Sequence, residues 1–457
     1  MGKTFRPYDL SQLLLLPPDV RQWLRADHLA LYVSDMVEQL DLSAIVNAYE
    51  EGRGQPPYHP QMMVKLLLYG YCVGKLSSRK IEQATYDEVA FRVLSGNQQP
   101  DHASIAEFRK RHLAALAQLF VQVLQLCERA GLVKLGHVAI DGTKIKANAS
   151  KYQSLTYAGL SEAEKRLVAE VTRLLAEAER LDQAEDELYG PEKRGDELPA
   201  ELRDRESRLR RIRELKAELE QEAREAAAQQ AAAANEKNEE RLRQAKASGK
   251  KTKVRLLPEI DPKQATPAAK ARRNFTDPES RMMKDHASNT FVQGYNAQLG
   301  VDATAQIIVA ATVVQAGNDQ KQLVPVLQAV AQNLGRLPER ASADAGYFSS
   351  TAVTAECLKT VDIYVPPNTR EPEYQTTLPE HANVPQRMWH KLQSKAGAAV
   401  YNQRKAIVEP VFAYLKHVRG FRQFLLRSLA QVQAEWLLIC LTHNVLKMFR
   451  AKRLQNA

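Results

Sequence analysis

The chain has 457 residues, past the size at which one hydrophobic core usually divides, so two or three domains are expected. Its 64 Lys and Arg against 54 Asp and Glu leave a net charge of +10, which favours a polyanionic partner, nucleic acid first. Four dispersed cysteines (Cys72, Cys127, Cys357, Cys440) without a Cys-x-x-Cys pair argue against a disulfide scaffold and a structural zinc site. The start MGKTFRPYDL lacks a signal-peptide core, and the longest apolar run, near residues 436–441, is too short to span a bilayer, so a soluble cytoplasmic protein is expected.

Residues 1–130 read as an all-α domain. Apolar side chains recur at three- and four-residue spacing over residues 61–71 (QMMVKLLLYGY) and 113–132. Between them, PDHASIAEFRKRH offers Asp101 or Ser104 as the cap of a helix presenting Arg109, Lys110, Arg111 and His112. That basic run is either a solvated face or a DNA contact. At residue 137 the texture changes: HVAIDGTKIKA is a short buried strand pattern whose end carries Asp141 followed by glycine. The pattern then breaks off for over a hundred residues. Ser161 and Glu164 stand at capping-box spacing before a helix striped by Leu167, Val171, Leu174 and Leu181. YGPEKRG reads as a turn, and a second helix is striped by Leu202, Leu209, Ile212 and Leu219, so the pair predicts an antiparallel hairpin. Residues 246–289 read as a flexible basic return.

Strand texture resumes with YNAQLGVDA and QIIVAATVVQ around a turn at residues 303–305. A helix is predicted from Asp319 to about residue 333, and Asp344 stands just past a short strand in SADAGYF. A helix over about 350–359, the strand DIYVPP, and helices over 396–418 and 429–449 complete the chain. With residues 150–290 set aside as an insertion, this order predicts an α/β, RNase H-like mixed sheet flanked by helices.

Three carboxylates carry the chemistry. Asp141 and Asp344 end strands that meet if the first and fourth core strands pair, and Glu409 lies on a helix able to pack against that edge. Converging carboxylates repel one another unless cations lie between them, and hard divalent ions with oxygen ligands suit the need. Two such ions about 4 Å apart serve an in-line phosphodiester displacement. The segment YNQRKAIVEPVFAYLKHVRGFRQF sets Lys405 four residues before Glu409 and Lys416 seven after it, all on one helical face. Either these are exposed charge pairs, or they are a metal ligand flanked by phosphate-binding cations. Pro410 is expected to kink or restart this helix.

Asp141 in AIDGTKIKA, Asp344 in ADAGYFS and the series Tyr401, Arg404, Glu409, Lys416 resemble the signature of DDE transposases of bacterial insertion sequences. FVQGYNAQ and PDHASIAEFRKRH make the chain similar to the insertion-sequence group eleven eighty-two. The resemblance covers nearly the whole chain and is weakest through the helical insertion. It implies Asp141, Asp344 and Glu409 binding two Mg²⁺ ions, with Mn²⁺ able to substitute. It also implies Tyr401, Arg404 and Lys416 on DNA phosphates. In this chain four residues, not the usual three, separate Arg404 from Glu409, so Lys405 competes for the arginine's role.

The expected division is 1–130 for DNA-end binding, 131–150 with 290–425 as catalytic core, 151–289 as insertion and linker, and 426–457 as a C-terminal helix. The DNA contacts expected are Arg109, Arg111, Tyr401, Arg404, Lys405, Lys416, Arg419 and Arg422. The partners expected are the terminal inverted repeats and target DNA, bound by a homodimer that the insertion bridges or merely supports. Asp319 reads as a helix cap or an outer acid, Asp277 and Asp302 as turn residues, Trp436 as core, and Trp389 as packed or as a base-stacking surface. The competing functions are a related nuclease that does not join strands and a DNA-binding relative without catalysis.

Overall fold

The computed structural model describes residues 19–49, 57–189, 200–247, 265–285, 289–373 and 378–455. Seven helices come first: α1 (Leu29–Val37), α2 (Ser43–Val46), α3 (Pro60–Cys72), α4 (Ser78–Asp87), α5 (Val89–Leu94), α6 (His102–Arg111) and α7 (Leu113–Arg129). Strands β1 (Val138–Lys146) and β2 (Ser154–Thr156) lead into the long helices α8 (Tyr157–Tyr189) and α9 (Ala200–Ala247). Next come β3 (Arg272–Asn274), β4 (Arg281–Asp285), β5 (Thr290–Asp302), β6 (Ile307–Val314), α10 (Leu323–Leu334) and β7 (Arg340–Ser342). The chain closes with α11 (Ser350–Val353), β8 (Asp362–Tyr364), α12 (Val384–Gln393), α13 (Lys395–Ala413) and α14 (Leu429–Gln455). It divides into two compact units, residues 1–145 with 296–457, and residues 146–295.

In the first unit, β1, β7 and β8 pair in parallel while β5 and β6 pair antiparallel, giving the order β6-β5-β1-β7-β8. This is the RNase H-like α/β arrangement expected from the sequence, preceded by an all-α region. The apolar runs are buried as read: β6 has Ile307, Ile308, Val309 and Ala310 fully buried. Helix α14 is apolar on nearly every side between Val432 and Leu446, and it packs against α7, α3 and β6. Its side chains also satisfy the outer edge of β6. Asn444 accepts from the Ile308 N–H at 2.9 Å and donates to its carbonyl at 2.8 Å. Gln433 does the same for Val313 N–H at 2.6 Å and Ala311 C=O at 3.0 Å. A strand edge that would otherwise invite pairing is thereby closed.

The expected kink at Pro410 gives way to a helix that continues through it to Ala413, with a wider π-type turn over Tyr414–Val418. Proline lacks the N–H that would bond the carbonyl four residues back. Gln306 fills that place, donating from Nε2 to the Ala406 carbonyl at 2.9 Å. Asp101 caps α6 as read, accepting from Ser104 N–H at 2.9 Å. The helix expected over 350–359 is instead the short α11 followed by a 3-10 turn at Glu356–Leu358.

In the second unit, α8 and α9 pack through Leu160, Leu167, Leu209, Ile212, Leu215 and Leu219, so the stripes read from the sequence hold in part. Ser161 is no cap, because α8 already starts at Tyr157; Glu164 instead pairs with Arg213 at 3.1 Å and Lys216 at 3.0 Å on α9. The turn expected at YGPEKRG lies almost wholly outside the described residues. The flexible return expected over residues 246–289 is corrected within 265–285, which contain β3, paired with β2, and β4, paired with the first half of β5. Asp277 there is buried and accepts the Tyr295 hydroxyl at 2.9 Å. No helix among the described residues is long and apolar enough to cross a membrane.

Candidate active site

The parallel register of β1 and β7 decides where two of the acids lie. Val138 is level with Ala341 and Ala139 with Ser342, so continuing that register by two residues sets Asp141 level with Asp344. Asp141 lies within β1, which runs on to Lys146, rather than at its end. Asp344 lies just beyond β7 and caps a 3-10 turn, its Oδ1 accepting from Gly346 N–H at 2.9 Å. Asp141 Oδ1 accepts from Gly142 N–H at 2.8 Å. In each acid it is Oδ1 that a backbone N–H holds.

Both acids are partly cut off from water, and both are protonated more readily than ordinary aspartates. Burial is the main cause for Asp141, whose pKa rises from 3.8 to about 6; the Gly142 N–H and Arg404 oppose the rise, and the charges of Asp344 and Asp319 add to it. Burial likewise raises Asp344, with Arg404 opposing and Asp319 adding. The counter-charge at hand is limited. Arg404 Nη1 stands 3.6 Å from Asp141 Oδ2, beyond hydrogen-bond reach, and that nitrogen is buried without a hydrogen-bond partner. Tyr401, one turn earlier on α13, has its pKa raised by burial, with the Arg404 charge opposing.

The strain on Asp141 has a measurable consequence. A carboxyl whose pKa is raised by folding binds a proton in the native state where the unfolded chain has lost it. The penalty is therefore absent below about pH 4 and complete above about pH 6. That rise corresponds to about 3 kcal/mol at most, and to about 1–2 kcal/mol once solvent screening of the partly exposed side chain is allowed for. Asp141→Asn is accordingly expected to melt a few degrees above the parent at pH 7.5 in EDTA, with the gap closing at pH 4. Identical melting at both pH values would show that Asp141 carries no such penalty.

The other expected site residues divide. Glu409 is exposed on α13, and among the described residues no three His, Cys, Asp or Glu side chains gather closely enough to hold a metal ion. Glu409 lies five residues after the buried Arg404, which turns it to a different side of the helix. Lys416 bonds Thr143 Oγ1 and reaches the Lys144 carbonyl at 3.4 Å, beside Asp141 on β1. Lys405, Arg422 and Arg111 are exposed.

Two of the expected DNA contacts are corrected. Arg109 is buried and donates to the Tyr71 hydroxyl at 3.2 Å and the Leu76 carbonyl at 3.0 Å. Arg419 is buried and donates to the carbonyls of Tyr71 and Ile439. Their guanidinium groups are used up inside the protein and cannot reach a phosphate. Trp436 is core, as read. Trp389 is partly exposed and donates to Thr369 Oγ1 at 3.1 Å.

Sequence reasoning left Asp319 between helix cap and outer acid, and it missed the groups around it. Asp319 is not the cap of α10, whose first flanking residue is Gln322. It lies beside the acid pair, where Oδ1 accepts from Asn296 Nδ2 at 2.6 Å and Gln298 Nε2 at 2.7 Å and faces Lys144 Nζ at 3.6 Å. Tyr347, buried, donates its hydroxyl to Gln298 Oε1. The only hint in the sequence was the run of polar residues inside the otherwise apolar strand YNAQLGV.

Two family models match the chain: "Transposase domain (DUF772)" over residues 18–111 and "Transposase DDE domain" over residues 264–445. No curated protein and no solved structure matches it.

Proposed function

The chain belongs to the DDE transposases of insertion sequences, nucleic-acid-cutting enzymes, and we propose that it cuts DNA at the element's terminal inverted repeats and joins the freed 3′ ends to target DNA. The observation that carries this reading is the levelling of Asp141 with Asp344 across β1 and β7, both half-buried and both protonated more readily than ordinary aspartates.

That donor set fits hard divalent cations. Two carboxylates offer oxygen ligands, each already oriented through its other oxygen by a backbone N–H, and the buried Arg404 approaches Asp141 without bonding it. Asp141 and Asp344 would hold Mg²⁺, or Mn²⁺ in its place, with Glu409 joining them once DNA draws its part of α13 inward. When bound, two such ions supply the charge that activates the attacking oxygen and steadies the leaving 3′ oxygen.

The protein's own groups position the DNA. Arg404 and Tyr401 border the acids, where Arg404 neutralises the phosphate about to be attacked and the Tyr401 hydroxyl donates to it. Lys416, anchored beside Thr143, fixes the neighbouring phosphate, and the exposed Lys405 and Arg422 hold the backbone further along. Arg111, exposed at the end of α6, contributes to end recognition by residues 1–130. Residues 131–150 and 290–425 form the catalytic core, 426–457 brace it, and 151–289 bridge the two copies of a homodimer on paired ends in the bacterial cytoplasm.

The test is a reaction with labelled DNA carrying the element's own ends, Mg²⁺ and a target plasmid. Joined products are expected. Cleaved ends that are never joined would leave a nuclease, and binding without cleavage would leave a DNA-binding relative.

A further inference from the structure

Lys144 is a buried cation with three aspartates in its field. Its side chain is 10% exposed, its ammonium lies 3.6 Å from Asp319 Oδ1, and the next anions acting on it are Asp344 and Asp141. An ammonium so placed pairs with whichever carboxylate is best held. Asp319 is the best held of the three, because two amide donors from β5 fix its Oδ1. It also lies close behind the Asp141–Gly142 peptide: a Cβ on Gly142 would come within 2.9 Å of Asp319 Oδ1.

We propose that Asp319 is a positioning residue that holds the Lys144 ammonium away from Asp141 and Asp344, so that those two carboxylates stay open to a divalent ion. The proposal rests on reading Asp141 and Asp344 as metal ligands. Lys144 is on the same strand as Asp141, three residues on, and cannot leave the neighbourhood. Without a charge at residue 319, its attraction turns to the two remaining acids, where a protein cation competes with a metal ion for the same oxygens. The amide bonds to Asn296 and Gln298 serve the same end, since a carboxylate free to swing would not keep the lysine on one side.

Asp319→Asn separates charge from shape, because an amide oxygen still accepts from Asn296 and Gln298 while the anion facing Lys144 is gone. The measurement is Mn²⁺ binding to the full-length protein without DNA, read from the electron paramagnetic resonance of free Mn²⁺, so that turnover plays no part. Asp319→Asn is expected to raise the Mn²⁺ Kd at least tenfold, and Asp319→Asn with Lys144→Met to return it to within threefold of the parent. Lys144→Met alone is expected to bind Mn²⁺ at least as tightly as the parent, which tests the idea even if Asp319→Asn folds poorly. Unchanged affinity in Asp319→Asn, no rescue in the double variant, or a tenfold loss in Lys144→Met would each overturn the proposal. Asp141→Asn serves as the separate control. If it binds Mn²⁺ like the parent, the metal-ligand reading itself fails.

Discussion

Asparagine in place of Asp141 or Asp344 is expected to lower cleavage at the element's ends by at least about a thousandfold, with binding of the same DNA changed by less than about threefold. The size follows from the work asked of the two acids. Charge stabilisation at a phosphodiester transition state supplies several kcal/mol, and each 1.36 kcal/mol is about tenfold in rate. The selectivity follows from the near-isosteric change at a half-buried position: it leaves in place the exposed cations, Lys405, Arg422 and Arg111, proposed to capture DNA. Glu409→Gln decides the third position. A loss as large as that of the two aspartates would mean that α13 brings its exposed carboxylate into the site when DNA binds. A loss below about tenfold would remove Glu409 from the metal set and return it to the role of an ordinary surface charge. Single-turnover cleavage of end DNA, beside gel shifts on the same fragments, measures both quantities.

The sequence exposes the acid pair because its signal is local. HVAI and RAS are short buried runs that each lead to an aspartate near a glycine, and only one pairing choice, β1 with β7, is needed to bring the acids level. The insertion is legible for a similar reason, as leucines repeat at helical spacing over many turns. β3 and β4 are not legible, since RRN and RMMKD are too short and too polar to alternate, and their partners determine their conformation. Asp319 stays ambiguous in the sequence because GND before an apolar helix looks the same whether the aspartate caps that helix or turns back to Asn296 and Gln298, more than twenty residues earlier in the chain. Burial of arginines is the least legible feature of all. FRKRH and VRGFRQF look like solvated basic runs, and nothing in one dimension separates Arg419, buried, from Arg422, exposed three residues later.

Arg419 carries the largest stability effect that this arrangement implies. Its Nη2 donates to the Tyr71 carbonyl at 2.6 Å and to Thr442 Oγ1 at 2.5 Å, its Nη1 to the Ile439 carbonyl at 3.1 Å, and its Nε again to Tyr71 at 3.2 Å. Among the described residues no carboxylate pairs with it, and burial lowers its pKa. One side chain thus ties the end of α3 to the middle of α14 beside the turn that follows α13. Arg419→Ala leaves a cavity and removes all four of these hydrogen bonds, and is expected to cost about 3–5 kcal/mol. Arg419→Met refills most of the volume and removes a buried charge, so its cost is expected to stay below about 2 kcal/mol. All three tryptophans, Trp23, Trp389 and Trp436, belong to the unit that contains Arg419, so urea unfolding followed by tryptophan fluorescence reads that unit alone. Equal losses in the two variants would mean that the hydrogen bonds, rather than the packing, hold this junction together. A loss below about 1 kcal/mol in Arg419→Ala would mean that the guanidinium binds nothing of consequence there, and would reopen its assignment to DNA.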